Sequence, residues 1–344
     1  MKQLLNTLFV MTPGAYLRVE GETICVEIER EKKLQIPLLH LSSLVLFGDI
    51  MFSPACVQRC LDSGRTITLL DRNGRFIGRI EGRVSGNVLL RIAQHQFAGD
   101  KERSAAISRA FVAGKIKNSR QMLLRSARDS GDENGVHQMR HAAGLLKANV
   151  EKLPKALDID AIRGIEGDSA RIYFANFDYH FKESFRPSFR FEARSRRPPL
   201  NQINGLLSFL YTLLISECRS ALESVGLDPQ VGFLHASRPG RPSLALDLAE
   251  EFRAFIADRL AVTLINRAQI QDCHFQRESG GAVFLNDEGR KIVVTAYQER
   301  KKECLTHPLL VEKIELGLIP FIQARLLSRH LRAETEAYIP FQPR

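Results

Sequence analysis

The chain has 344 residues, 44% of them hydrophobic and 26% charged, and its 49 Lys and Arg against 39 Asp and Glu leave a formal charge of +10 with a pI near 9.5. That length exceeds the roughly 100–200 residues of a typical domain, so two domains are expected. The composition is that of a soluble globular protein, and no apolar run is read as reaching the roughly 20 residues needed to span a bilayer, which excludes a membrane protein.

The basic surplus suits a polyanionic partner. The opening MKQLLNTLFVMTPGAY lacks a small-residue cleavage site and runs straight into strand-like alternation, so it is not read as a signal peptide. Six cysteines without a secretion signal imply reduced thiols, no disulfide framework and a cytoplasmic location.

In chain order, residues 1 to about 85 alternate as short strands: TICVEIE, KLQIPLL, SSLVLFG, TITLLD and RFIGRIEG, the last after the turn residues Asp71, Asn73 and Gly74. Ser53 and Pro54 open one short helix that Gly64 closes. From about Gln94 the period becomes helical, and RSAAISRAFVAGKIKNSRQMLLRSARD reads as an amphipathic helix with its arginines and lysines toward solvent. A polar break at 129–135, a loop over Arg186–Leu200 with three prolines, and a late hairpin in AVFLNDEGRKIVVTAY complete the outline. The fold class is α+β: a small N-terminal β-rich domain over 1–93, then a larger, mainly α-helical domain over 94–344.

Several constellations carry chemistry. Cys56 with Cys60, and His137 with His141, each lie one helical turn apart, but their spacing matches no common zinc module and the pairs fall in different domains. Glu166 lies between Gly164 and Gly167, ahead of Asp168 and Ser169, which could begin a helix; the glycines permit close approach of backbone or ligand. In GFLHASRPGRPSLALDLAEEFR, Ser243 is the expected N-cap of a helix on which Asp247 and Glu250 share a face, while Glu251 and Arg253 read as solvated charges. His235 with these carboxylates and Glu166 makes a mixed N/O donor set suited to Mg2+ or Mn2+. Arg186, Arg190, Arg194, Arg196 and Arg197, with Arg238 and Arg241, supply guanidinium groups for phosphates.

These segments, together with LNTLFVMTPGAYLRVEGETI, SSLVLFGDIMFSPACVQRC, GRFIGRIEGRVSGNVLLRIAQH, RRPPLNQINGLLSFLYTLL and ESGGAVFLNDEGRKIVVTAYQERKKE, resemble the CRISPR-associated integrase of the adaptation module, in a type I-C-like version, over nearly the whole chain. The resemblance implies an N-terminal β-domain that builds a homodimer and a helical domain that holds the active site. It also implies assembly with a small ferredoxin-like partner of the same operon. The implied reaction joins the 3′-hydroxyl ends of prespacer double-stranded DNA to the CRISPR repeat by metal-dependent transesterification, with an end-trimming nuclease as a further partner. Carried over by segment, the metal ligands are Glu166, His235 and Glu250. Asp247 matches a further acidic position, and the division of labour between Asp247 and Glu250 is open, with Glu250 favoured. Arg194, Arg196, Arg197, Arg238 and Arg241 are the candidates for DNA phosphates, whereas Asn201 and Asn204 read as capping residues. Two other readings share these residues: a free-standing metal-dependent nuclease or resolvase for branched DNA, and a DNA-binding scaffold with a degenerate metal site.

Overall fold

The computed structural model describes residues 7–41, 43–72, 76–83, 88–195 and 197–343. Its internal contacts divide the chain into two units, Met1–Ser85 with Asn286–Val294, and Gly86–Leu285 with Thr295–Arg344. A β-rich N-terminal region precedes a mostly helical remainder, as the change of period predicts.

The early alternation forms β1 (Thr7–Val10), β2 (Tyr16–Glu20), β3 (Thr23–Ile28), β4 (Glu31–Pro37), β5 (Ser43–Phe47), β6 (Met51–Phe52), α1 (Pro54–Asp62), β7 (Thr66–Leu70) and β8 (Phe76–Ile80). One sheet runs β4-β3-β2-β6, antiparallel except for the parallel pair β2 and β6. The other runs β1-β5-β7-β8, with β1, β5 and β7 parallel. Parallel neighbours need a long crossover, and α1 provides it between β5 and β7. Ser53 accepts the Cys56 amide at 3.1 Å to start α1, and Gly64 takes a φ of +69° just after its end. Cys56 and Cys60 bury their sulfurs in a core with Leu17, Ile24, Leu44 and Ile67. The turn residues Asn73 and Gly74 lie outside the described residues.

The second unit carries α2 (Val88–Gly99), α3 (Lys101–Asp129), α4 (Glu133–Lys152), α5 (Ile159–Ala175), α6 (Gln202–Ser224), α7 (Ser243–Glu250) and α8 (Arg259–Asn266). Helix starts follow capping chemistry: Asp100, Asp132, Asp158 and Asn201 each accept amides of the first turn of α3, α4, α5 and α6. The polar break is shorter than expected, because Asp132 already caps α4. By length and composition α6 is apolar enough to cross a membrane, against the expectation that no run reaches that length; 61% of its most apolar window is buried within the fold. Asn204 also behaves as a structural residue, binding Arg194, the Ser195 amide and the Ala193 carbonyl.

The late hairpin is displaced. Strand β10 (Val283–Leu285) pairs antiparallel with β9 (Phe275–Arg277), upstream of the expected turn. IVVTAY belongs to α9 (Asp287–Lys302), whose first turn Asn286 caps by accepting the Gly289 amide at 2.9 Å. An Asn-Asp-x-Gly run suits a helix start as well as a β-turn, and here the cap wins. A short ladder of β11 (Cys304–Thr306) and β12 (Lys313–Glu315) precedes α10 (Ile319–Leu331). None of the six cysteines forms a disulfide.

Two glycines test this packing with opposite signs. A Cβ on Gly205 of α6 would lie 2.5 Å from the Val283 carbonyl oxygen of β10, whereas one on Gly144 of α4 meets nothing within 4 Å. Gly205→Ala is expected to lower stability by about 1–3 kcal/mol through overpacking. Gly144→Ala should raise it by up to about 1 kcal/mol through helix propensity. Urea unfolding midpoints of the two variants check both signs.

Candidate active site

Asp247, fully buried on α7, organises the segment that presents His235. Its Oδ2 accepts the amides of Phe233 at 2.7 Å and Leu234 at 3.0 Å, and its Oδ1 accepts the His235 amide at 2.9 Å. The same Oδ1 lies 2.6 Å from His235 Nδ1. An ionised carboxylate only accepts, so Nδ1 carries the proton and Nε2 of a neutral ring is left with its lone pair. Gly232 permits this closeness, since a Cβ there would lie 2.8 Å from the Ser243 carbonyl carbon and 2.9 Å from Asp247 Oδ2. From α5, Arg163 donates to the Leu234 carbonyl through Nε at 2.9 Å and Nη2 at 2.6 Å, tying the Glu166 helix to the His235 loop.

The expected facing of the acids needs three corrections. Ser243 does not cap α7: it is the first helical residue, and its hydroxyl donates to the Ala236 carbonyl at 2.9 Å. Glu166 does not precede a helix, because α5 starts seven residues earlier at Ile159 and places it in mid-helix; Gly164 and Gly167 have no protein atom near their would-be Cβ positions. Glu251 and Arg253 are not solvated charges. Glu251 is fully buried and accepts the Tyr338 hydroxyl, the Phe341 amide at 2.7 Å and Gln323 Nε2 at 3.1 Å. Burial pushes its carboxyl up to about 8 despite these donors. Arg253, 8% exposed, reaches Glu250 Oε1 at 3.1 Å. A π-helical stretch, Arg253–Asp258, follows α7.

Glu166 and Glu250 converge on one cation that sequence reading missed. The Lys115 ammonium of α3 pairs with Glu166 Oε1 and lies 2.7 Å from Glu250 Oε2. Burial opposes the Glu250 charge, but Arg253, Lys115 and His235 outweigh it and hold the carboxyl at about 2. Thus α3 does not turn every lysine to solvent. The signal was present in the helical spacing: Lys115 stands four residues after Phe111 and four before Ser119, on the buried face.

The arginine candidates separate into two groups. Arg241 has its pKa lowered by burial and then by the positive charges of Arg238, Arg163 and Arg197, which places those guanidinium groups in one field beside Asp247 and the His235 loop. Arg197 and Arg238 are exposed. Arg194 is turned into the fold, donating to Asn204 Oδ1 at 2.7 Å and Ser208 Oγ at 3.2 Å and lying over the Tyr211 ring. Arg196 lies outside the described residues.

Among the described residues no three His, Cys, Asp or Glu side chains form a ready metal cage. The donor chemistry nevertheless fits a hard divalent ion: two carboxylates already gather about a positive charge, and an imidazole with one nitrogen anchored to a carboxylate is the usual arrangement of a metal-binding histidine. Glu166, Glu250 and His235 are the residues that could hold one. Asp247 is occupied by three amides and the His235 ring.

The family model for CRISPR associated protein Cas1 matches residues 8–299. A relative from Moorella thermoacetica, CRISPR-associated endonuclease Cas1 1, is 50% identical over the full length of both chains. The chain belongs to the Cas1 family. Two solved structures share its fold at lower identity. A casposase bound to an integration product matches with a TM-score of 0.83 at 22% identity, covering 98% of this chain and 93% of that one. A Cas6-RT-Cas1–Cas2 complex matches with a TM-score of 0.84 at 23% identity, covering 99% of this chain and 36% of that one. Within this Cas1 fold, Asp258 is a further buried acid, held by the hydroxyls of Tyr211 at 2.7 Å and Tyr173 at 3.1 Å.

Two predictions test the arrangement. Asp247→Asn removes one acceptor oxygen from a group that serves four donors, so it is expected to cost about 2–4 kcal/mol in urea unfolding. Burial pushes Asp258 up from 3.8 to about 6, partly offset by Tyr211, Tyr173, Arg194 and Arg253. Because the folded state holds this proton more tightly, its contribution is full below pH 4 and is lost as pH rises through 6. Linkage gives a loss of about 1 kcal/mol between pH 5 and pH 8, and Asp258→Asn should lack that component of the pH slope.

Proposed function

We propose that this Cas1 family member joins prespacer 3′-hydroxyl ends to the repeat DNA of a CRISPR array, in a type I-C-like system, by divalent-metal-dependent transesterification. The observation that carries this reading is the convergence of Glu166 and Glu250 on one cation position in the same helical unit as an Asp247-anchored His235. The family assignment and the casposase fold likeness support it. Bound by Glu166, His235 and Glu250, Mg2+ or Mn2+ would activate the attacking oxygen and stabilise charge on the phosphoryl group.

The chain's own residues perform the remaining tasks. Asp247 fixes the His235 tautomer that leaves Nε2 as the donor atom, and with Asp247 so engaged Glu250 is the helix acid that serves as a ligand. Arg253 neutralises one Glu250 oxygen and keeps the carboxylate charged in a buried place. Arg197, Arg238 and Arg241 face the phosphates of the DNA. With water in place of the 3′-hydroxyl the same groups support cleavage, in keeping with the endonuclease name of the Moorella relative.

The assembly is a homodimer built through the β-rich region and joined to the small ferredoxin-like partner; the Cas2 in the Cas6-RT-Cas1–Cas2 structure is consistent with such a partner. A cytoplasmic location and an end-trimming nuclease partner belong to the same reading.

The test incubates the protein and its operon partner with a prespacer duplex and a repeat-bearing plasmid in Mg2+ or Mn2+. Joined products are expected with wild type and a loss of at least about 100-fold with Glu166→Ala or His235→Ala, in line with removal of catalytic groups. Cleavage without joining would favour the free-standing nuclease, and DNA binding without either reaction the scaffold. In salt titrations, Arg238→Ala and Arg241→Ala should each lower DNA affinity and reduce the log–log slope by about one.

A further inference from the structure

Lys115 has no place in the chemistry above, yet it occupies the middle of the site. It is 8% exposed, and its neighbours on the same face of α3 include the fully buried Phe111 and Val112, four and three residues earlier. Withdrawing an ammonium from water and ordering its four-carbon stem is costly unless strong partners compensate. Its partners are Glu166 and Glu250, the two carboxylates assigned to the metal. An ammonium between two carboxylates and a divalent ion that the same two carboxylates would hold compete for their oxygens.

We propose that Lys115 is a tethered counter-ion: it holds Glu166 and Glu250 together in the metal-free protein and competes with Mg2+ or Mn2+ for them, so that metal loading requires its side chain to withdraw. This rests on Glu166 and Glu250 being metal ligands. The residue type suits the task, because lysine carries a compact charge on a flexible stem, whereas arginine would clamp carboxylates with a planar fork. Withdrawal has a destination. Lys115 also lines a small cavity with Ser119, Ser169, Tyr173, Tyr211 and Asp258, whose oxygens can receive an ammonium against the opposing charge of Arg253 on the same wall. Without the lysine, two converging carboxylates would repel each other, and among the described residues Glu250 would keep only Arg253 as a direct ion-pair partner. The observed metal affinity is then the intrinsic affinity reduced by the fraction of molecules whose lysine has withdrawn.

Mn2+ binding to the full-length protein, measured by calorimetry without DNA, tests this directly. Lys115→Met is expected to bind Mn2+ about tenfold more tightly than wild type. Its metal-free melting temperature should fall by roughly 2–4 °C or more, and Mn2+ should restore a larger share of it than in wild type. Lys115→Arg, which keeps the charge but cannot withdraw as readily, should bind Mn2+ more weakly than wild type. Equal or weaker binding by Lys115→Met, with wild-type binding abolished by Glu166→Gln, overturns the counter-ion while leaving the ligand assignment standing. Mn2+ binding indifferent to Glu166→Gln overturns the ligand assignment and the counter-ion with it. Should Lys115→Met not fold, wild-type affinity in Lys115→Arg is the result that sinks the proposal.

Discussion

Holding the Glu250 carboxylate charged while it is 3% exposed is the constraint around which the helical unit is arranged. A buried anion of this kind persists only where cations stand against it. Lys115 comes from α3 and Arg253 from the π-helical turn after α7, and both must arrive at one point. Breaking either approach would leave an uncompensated charge. The packing of α3 against α5 and α7 is therefore tied to the electrostatics of the site.

The surrounding acids have separate tasks despite their closeness in sequence. Asp247 is consumed by backbone amides and by the His235 ring. Glu251, next to Glu250, meets different partners and ties the C-terminal residues Tyr338 and Phe341 to α7. Asn118 reinforces that tie by donating to the carbonyls of both Glu251 and Phe341. Three acids within five residues thus serve the histidine loop, the cation site and the chain's C-terminal segment. The helix that carries the site is braced from both its ends.

Much of the fold was legible because local chemistry agreed with it. Alternating β-branched residues gave strands, and Ser53 and Asn201 gave helix starts where they were expected. The errors came where one local signal has two structural uses. Asn286, Asp287 and Gly289 suit a turn or a cap. Ser243 suits a cap, yet at the first helical position its hydroxyl donates to Ala236. Glu166 among glycines suits a helix start, but Asp158 caps α5 well upstream of it.

By itself the sequence determined the order of β-rich and helical regions, the family resemblance and the residue types of the site, because periodicity, capping and motif chemistry act over a few neighbouring positions. The tertiary structure decided the partners: that Lys115 turns inward, that Asp247 serves His235 while Glu250 meets the cations, that Arg194 is taken up by Asn204, and that Glu251 and Arg253 are buried. The physical reason is that a charged side chain reads the same in sequence whether water or a buried counter-charge solvates it. Only the convergence of α3, α5 and α7 supplies the counter-charge.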